Sequence, residues 1–108
     1  MTTSETEFYH LARLGGFIVI KTNPESHICD YVMIDTDGKC YLVEIKETKS
    51  DRVYFSSSWN MIQKAWLLKH SVEYNVPVIY AVKFLKGNKS KWVFKLINTL
   101  GAGVDYCD

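Results

Sequence analysis

The segment from Cys29 to Lys46 constrains the fold most, because its charged residues stand within two runs typical of β-strands. Tyr31 to Ile34 and Tyr41 to Ile45 are rich in β-branched and aromatic residues, which favour extended structure. The intervening Thr36-Asp37-Gly38 is typical of a turn, since glycine readily adopts the left-handed conformation. The sequence therefore predicts a β-hairpin with a three-residue loop.

The length of that loop determines which side chains face each other across the hairpin. A three-residue loop places Asp35 opposite Lys39, an oppositely charged cross-strand pair. The same register places Asp30 opposite Glu44, and Lys46 then follows Glu44 on one face, because strand side chains alternate. A two-residue loop would instead put the two carboxylates on opposite faces, so the register is a testable prediction.

Two carboxylates side by side repel each other, and the pKa of each rises unless a cation neutralises them. Magnesium is the obvious candidate, because it takes oxygen ligands, usually one or two carboxylates together with waters. Asp30 and Glu44 would supply the carboxylates, and the backbone carbonyl of Ile45 would complete the protein ligands. Lys46 would hold the attacking water, stabilise developing charge, or act as a base.

A solvated strand face is the alternative, since Glu-x-Lys is a common tripeptide and recurs here as Glu47-Thr48-Lys49. The two copies differ in their surroundings. Glu44 and Lys46 are embedded in an apolar run, where unpaired charges are costly, whereas the second copy lies in a polar stretch. This difference favours a site formed by the first copy.

Composition limits the class of protein. A chain of 108 residues with 47% hydrophobic residues predicts one compact domain over residues 1–108. No apolar run approaches the length of a membrane span, and the N-terminus lacks the basic-then-apolar order of a signal peptide. The three cysteines are odd in number and lack zinc-site spacing, which indicates reduced thiols. We therefore expect a soluble, intracellular protein without a membrane partner.

Positive charge is distributed unevenly, although the net charge is only +1. Between residues 83 and 95 there are five lysines and no acidic residue, interleaved with aromatic residues. This pattern fits a surface that contacts phosphates, but it fits a β-hairpin edge protected by lysines somewhat better. The candidate phosphate contacts are Lys49, Arg52, Lys86, Lys89 and Lys91.

The rest of the chain predicts two helices and further strands. Ser4 stands three residues before Glu7, an arrangement typical of a capping box that begins a helix. The expected order is α-β-β-β-α-β-β, a mixed β-sheet flanked by helices in an α/β fold. The elements beside the hairpin are a helix over 2–14, a strand over 17–21, a helix over 59–74, strands over 78–84 and 91–97, and a loosely held tail over 98–108.

This succession resembles the PD-(D/E)XK nuclease superfamily, with its restriction-endonuclease-like fold, and within it archaeal and archaeal-virus Holliday junction resolvases. The resemblance runs from Ser4 to Phe94. It depends on an acidic residue in the first helix, Asp30 opening the second strand, Glu44-Ile45-Lys46 on the third, and VIYAVKF before a tryptophan-containing strand. Cys29 replaces the usual proline before the first aspartate.

The resemblance implies roles for individual residues. Glu5 would be the helix-borne acid, with Glu7 as the alternative, while Asp30 and Glu44 would be the principal metal ligands and Lys46 the catalytic lysine. Ser26 would fall in a substrate-contacting loop, where His27 is a further, weaker candidate for a substrate contact. Related nucleases often carry a glutamine early in the second helix; Trp59 occupies the matching position here, and Gln63 is a possible substitute.

The implied activity is that of a Mg²⁺-dependent endodeoxyribonuclease, with Mn²⁺ as a substitute, that hydrolyses phosphodiester bonds in four-way DNA junctions as a homodimer. Its expected location is the cytoplasm, or the host cytoplasm if the protein is viral. One alternative is a nuclease of the same fold that acts on DNA ends, flaps or single strands. Another is a non-catalytic nucleic-acid-binding module.

Overall fold

The computed structural model describes residues 3–22, 29–57 and 61–108. No helix within these ranges is both long enough and apolar enough to cross a membrane. A 3₁₀ turn, Phe55–Ser57, follows the fourth strand. The elements in chain order are α1 (Thr3–Leu14), β1 (Ile18–Lys21), β2 (Tyr31–Ile34), β3 (Cys40–Thr48), β4 (Arg52–Tyr54), α2 (Met61–Tyr74), β5 (Val78–Lys86), β6 (Lys89–Ile97) and β7 (Gly103–Asp105).

The main sheet has five strands in the order β1-β2-β3-β5-β6. Neighbouring strands are antiparallel except for β3 and β5, which are parallel. Parallel neighbours need a crossover connection, and α2 lies in the segment that provides it. The predicted α/β fold, a mixed sheet flanked by helices, is therefore confirmed.

The predicted hairpin register is also confirmed. Val32 pairs with Leu42, and the backbone N–H of Asp35 donates to the carbonyl of Lys39 at 2.9 Å. Gly38 has a φ of 84°, the left-handed conformation that the turn requires. The connection between β2 and β3 is therefore the three-residue loop on which the pairing of Asp30 with Glu44 depends.

Side chains of β3 alternate between two hydrophobic clusters, one on each face of the sheet. Val43 packs with Phe8 of α1, whereas Leu42 packs against the cluster that contains Leu67 of α2. Because Glu44 is two residues beyond Leu42, it faces the α2 side of the sheet. Lys46, two residues further along β3, lies on the same face as Glu44.

Several large apolar side chains of helix α2 are exposed rather than packed against the sheet. Ile62, Trp66 and Val72 are exposed at 77%, 53% and 79%. The buried residues of the helix are Leu67 and Lys64. The apolar residues alone therefore do not identify the buried face of this helix, because that face includes a lysine that bonds the neighbouring 3₁₀ turn.

The predicted capping box at the start of α1 is wrong. The helix already includes the residue before Ser4, so Ser4 lies inside it, and the Ser4 hydroxyl donates to the Glu47 carboxylate on β3. Glu7 accepts hydrogen bonds from Lys83 Nζ at 2.6 Å and from Trp92 Nε1 at 2.7 Å. Both side chains therefore bind residues of the sheet instead of the backbone N–H groups that a capping box would use. These bonds hold α1 against the sheet.

The segment after β6 is not loosely held, contrary to the prediction. Strand β7 pairs antiparallel with β4, which places Val104 opposite Val53, and the Val104 side chain is 0% exposed. The backbone N–H of Tyr106 donates to the carbonyl of Asp51 at 2.8 Å. The short strand has too few residues to show a period, but its one inward side chain belongs to the core.

Removing two methyl groups from this position tests whether the tail contributes to folding. We expect Val104→Ala to lower the free energy of unfolding by about 2 kcal/mol, since a fully buried valine loses its apolar contacts. The same change at the exposed Val72 is the matched control and should alter stability little. Urea denaturation of both variants measures the difference, and equal stabilities would show that the tail does not belong to the core.

Candidate active site

The candidate site lies where the pairing of β2 with β3 stops. Tyr31 pairs with Val43, and beyond that point β3 continues to Thr48 beside β5 alone. Beyond that point the Asp30 carboxylate serves as the hydrogen-bond acceptor that a neighbouring strand would otherwise provide, because its Oδ2 accepts the backbone N–H of Ile45 at 2.8 Å. Since the N–H and C=O of a strand residue point to the same edge, we expect the Ile45 carbonyl to face the same opening.

An open cleft of about 680 Å³ lies at this edge of the sheet. It brings together residues from the first turn of α1, the start of β2 and the end of β3. Three of the predicted site residues that carry charge, Glu5, Asp30 and Lys46, share this cleft. Its lining residues are Thr3, Ser4, Glu5, Asp30, Ile45, Lys46 and Glu47.

Burial raises the pKa of Asp30 to about 6, and the backbone N–H of Ile45 opposes that shift. The charge of Glu5 and a hydrogen bond with the Glu5 side chain raise the pKa further. The helix-borne carboxyl and the strand-borne carboxyl are therefore close enough to influence each other's protonation.

Glu44 is the more enclosed of the two strand carboxyls and does not line the cleft itself. Burial raises its pKa to about 8, and the charges of Asp30 and Glu5 add to the effect. The ammonium group of Lys64 acts in the opposite direction. Three carboxyls thus interact electrostatically at one point, as the hairpin register predicted for two of them.

Lys64 is the functional candidate that sequence analysis missed. Its side chain is only 7% exposed, and Nζ donates to the carbonyl of Phe55 at 2.5 Å. Nζ also lies 4.9 Å from the Phe55 ring centroid and 5.7 Å from that of Tyr80. Burial lowers the pKa of Lys64, while the charge of Glu44 raises it. The available signal was its spacing of three residues before Leu67, on the buried face of α2.

The structure separates the two candidate helix-borne acids. Glu5 lines the cleft and interacts with Asp30, whereas Glu7 is bound to Lys83 and Trp92 on β5 and β6. The hydrogen bond from Lys83 is the largest cause that lowers the pKa of Glu7. The geometry favours Glu5 as the acid of the site and gives Glu7 a role in docking the helix.

The donor set suits a hard divalent cation. Among the residues that the structure describes, no three Asp, Glu, His or Cys side chains form a ready-made metal cluster. Magnesium, however, usually takes only one or two protein carboxylates and keeps several waters. Asp30, Glu44 and the Ile45 carbonyl offer oxygen atoms of this kind, and burial raises the pKa of both acids, which a bound cation would lower again.

Three of the five basic residues predicted to contact DNA are bound to other parts of the protein. Arg52 forms an ion pair with Asp105 at 3.2 Å, and Lys91 donates to the Tyr106 carbonyl at 2.6 Å. Lys86 is paired with Asp51. The remaining two basic candidates, Lys49 and Lys89, have exposed side chains. Much of the predicted basic surface therefore holds the C-terminal segment and the loop before β4.

Several predicted residues lie outside the part of the chain that the structure describes. Ser26 and His27 belong to residues 23–28, and Trp59 belongs to residues 58–60. Their predicted roles stay predictions. Gln63, the proposed substitute for a helical glutamine, lies in α2 immediately before Lys64. Of these two neighbours, Lys64 is the one that interacts electrostatically with Glu44.

The fold has a counterpart among solved structures. Hjc from Archaeoglobus fulgidus, a Holliday junction resolvase from an archaeal hyperthermophile, superposes with a TM-score of 0.71. The two chains are 17% identical, and the match covers 98% of this chain and 87% of Hjc. No family model matches the sequence, and no curated protein matches it either. The chain therefore has the fold of an Hjc-like nuclease.

The raised pKa values of the buried carboxyls predict a distinctive pH dependence in the metal-free protein. Glu44 has its pKa raised from 4.5 to about 8, so the folded state binds more protons than the unfolded state between these values. The free energy of unfolding should therefore fall as pH rises from 4.5 to 8. Urea denaturation in a chelator across this range measures the trend.

Glu44→Gln supplies the control for that experiment. The amide cannot ionise, so the variant should lose most of the pH dependence and be more stable than the unmodified protein at pH 8. Equal slopes for the two proteins, or stability that rises over this range, would contradict the electrostatic description of the site.

Proposed function

We propose that this chain is a divalent-metal-dependent DNA endonuclease of the PD-(D/E)XK type, and specifically a Holliday junction resolvase. The observation that carries the proposal is the convergence of Glu5, Asp30 and Lys46 on one cleft, with Glu44 coupled electrostatically to both acids. The Hjc-like fold supports it, because the similar solved structure is that of a Holliday junction resolvase.

Asp30, Glu44 and the Ile45 carbonyl would hold the cation, with Glu5 bound to it directly or through water. Mg²⁺ is the proposed ion and Mn²⁺ the substitute. When bound, such an ion neutralises the phosphate charge and makes water a better nucleophile at neutral pH. The structure supports this assignment through the compatible oxygen donors and the raised pKa values of Asp30 and Glu44.

Lys46 has the role of orienting the attacking water. It lines the cleft two residues beyond Glu44, so its ammonium group can donate to the water and to a non-bridging phosphate oxygen. As the water oxygen forms its bond to phosphorus, the water gives up a proton to the surrounding solvent. The bond from phosphorus to the leaving oxygen breaks, and that oxygen takes up a proton from solvent. The positive charge beside the phosphate favours the transition state, in which negative charge accumulates.

Lys64 has the role of positioning Glu44. Its ammonium group is held by the Phe55 carbonyl and by the two aromatic rings around it, so its charge has a fixed place beneath the sheet. A fixed positive charge near Glu44 favours the ionised carboxylate that a metal requires. Lys64 would thereby partly offset the burial of Glu44.

DNA with a branched structure is the proposed substrate and a homodimer the proposed assembly, in an intracellular location. Exposed apolar surface supports the dimer: an apolar groove of about 480 Å³ lies between α1 and the sheet. Beside it, Leu11 and Phe94 are exposed at 46% and 55%. Ser26, Lys49, Arg52, Lys86, Lys89 and Lys91 are the proposed DNA contacts.

A nuclease acting on DNA ends, flaps or single strands is the second candidate. The observation that favours it is the pairing of Arg52, Lys86 and Lys91 within the protein. Paired basic side chains contribute less to phosphate binding, and a junction presents more phosphates than a single strand does. A non-catalytic nucleic-acid-binding module of the same fold is the third candidate, distinguished by the absence of metal-dependent cleavage.

Cleavage of a labelled four-way junction, beside linear duplex, flap and single-stranded DNA in Mg²⁺ or Mn²⁺, tests the proposal. We expect paired symmetrical nicks in the junction. Glu44→Gln should reduce cleavage to background, and Lys46→Ala should slow it on the order of a hundredfold. Cutting of other DNA alone would support the second candidate, and a lack of all cutting would contradict a catalytic function.

Glu5→Gln and Glu7→Gln form a matched pair for the same assay, since each replaces one carboxylate of α1 by an amide. Glu5→Gln should abolish cleavage while the protein stays folded. Glu7→Gln should retain cleavage and lower the free energy of unfolding by ~1 kcal/mol, because it weakens the hydrogen bonds to Lys83 and Trp92. The opposite pattern would assign the helix-borne acid to Glu7.

A further inference from the structure

Glu5 is the candidate ligand whose position the sheet does not fix. Asp30 and Glu44 belong to a hairpin whose register sets their separation, whereas Glu5 is carried by a helix that lies outside the strand pairing and is joined to the sheet by side-chain contacts. Its carboxyl nevertheless meets that of Asp30 closely enough to form a hydrogen bond. Some contact must therefore hold the first turn of α1 at this distance.

Ser4 provides that contact. Its side chain is 4% exposed, and its hydroxyl donates to Oε1 of Glu47. Ser4 directly precedes Glu5 on the helix, and Glu47 directly follows Lys46 on β3. One hydrogen bond thus joins the immediate neighbours of the helix-borne acid and of the strand-borne lysine, across 43 positions of sequence.

The alternation of β3 makes this bond possible. Lys46 faces the α2 side of the sheet with Glu44, so Glu47 points to the opposite side, where α1 lies. A second bond acts on the same turn, since the Tyr31 hydroxyl donates to the backbone carbonyl of Glu5 at 3.1 Å. The helix is anchored again one turn later by Glu7, so it should stay docked when Ser4 is changed.

We propose that Ser4 and Glu47 are a positioning pair, which fixes Glu5 beside Asp30 and so sets the affinity of the site for a divalent cation. The inference rests on the proposed metal-dependent function. Glu47 acts in it as a hydrogen-bond acceptor and does not bind the cation. Removing a residue that hydrogen-bonds and orients a metal ligand, without binding the metal itself, typically weakens metal affinity by about ten- to a hundredfold.

Isothermal titration of the whole protein with Mn²⁺ alone tests this pair without an assay of activity. Ser4→Ala and Glu47→Ala should each weaken Mn²⁺ binding about tenfold. Glu47→Gln should stay within about twofold of the unmodified protein, because the amide oxygen still accepts the Ser4 hydroxyl. The double Ser4→Ala/Glu47→Ala variant should bind no more weakly than either single variant, since both changes break one bond.

Ser90→Ala, at an exposed position of β6, is the matched control and should bind Mn²⁺ as the unmodified protein does. Glu47 is itself exposed, so we expect its variants to fold and to test the pair even if Ser4→Ala fails to fold. A lowered melting temperature with unchanged Mn²⁺ affinity would overturn the inference and leave the pair a purely stabilising one. Mn²⁺ affinity as weak in Glu47→Gln as in Glu47→Ala would also overturn the inference, because the charge of Glu47 would then matter more than its hydrogen bond.

The same titration separates this inference from the proposed function. If the unmodified protein binds Mn²⁺ and the Ser4 and Glu47 variants bind it equally well, only the positioning role fails. If the unmodified protein shows no Mn²⁺ binding, both the metal-dependent function and the positioning role fail.

Discussion

Two carboxyl groups held opposite each other at a point where strand pairing ends are the feature on which this structure depends. Asp30 supplies the hydrogen-bond acceptor that β2 no longer offers to β3, since it binds the Ile45 N–H at 2.8 Å. Glu44 lies across from it on the more buried side. Burial of two such groups is costly, and burial is the largest cause of the raised pKa of each.

Both helices are arranged around that pair. The first turn of α1 carries Glu5 to Asp30 and is held by the bond between Ser4 and Glu47. From the other face, α2 brings the ammonium group of Lys64 beneath Glu44, within an aromatic enclosure. One helix therefore adds negative charge and the other adds positive charge. When all three carboxyls are ionised, their negative charge exceeds the positive charge of Lys64, and a divalent cation would neutralise the excess.

Sequence reasoning succeeded where local rules fix geometry. The register of the hairpin follows from loop length and strand alternation, so the meeting of Asp30 with Glu44 was predictable. It failed for Lys64, because a buried lysine breaks the rule that charged residues face water, and only tertiary partners explain it. It also failed for Val104, since a three-residue strand becomes part of the core only through its pairing with β4.

The same distinction separates Glu5 from Glu7. Both lie in the first half of one helix, and the sequence favoured Glu5 while Glu7 stayed the alternative. The partners of Glu7 come from β5 and β6, more than seventy positions away in the sequence. A contact of that range has no local signature, so the structure was needed to show which acid faces the cleft.

The central claim is that the Asp30 and Glu44 carboxyls form a divalent cation site, and anomalous diffraction from a crystal soaked in Mn²⁺ tests it most directly. We expect a strong anomalous peak bounded by the oxygens of both carboxyls, beside the Ile45 carbonyl. Such a peak should be absent from crystals of the Glu44→Gln variant soaked in the same way. A peak elsewhere, with none between Asp30 and Glu44 at saturating Mn²⁺, would contradict the account.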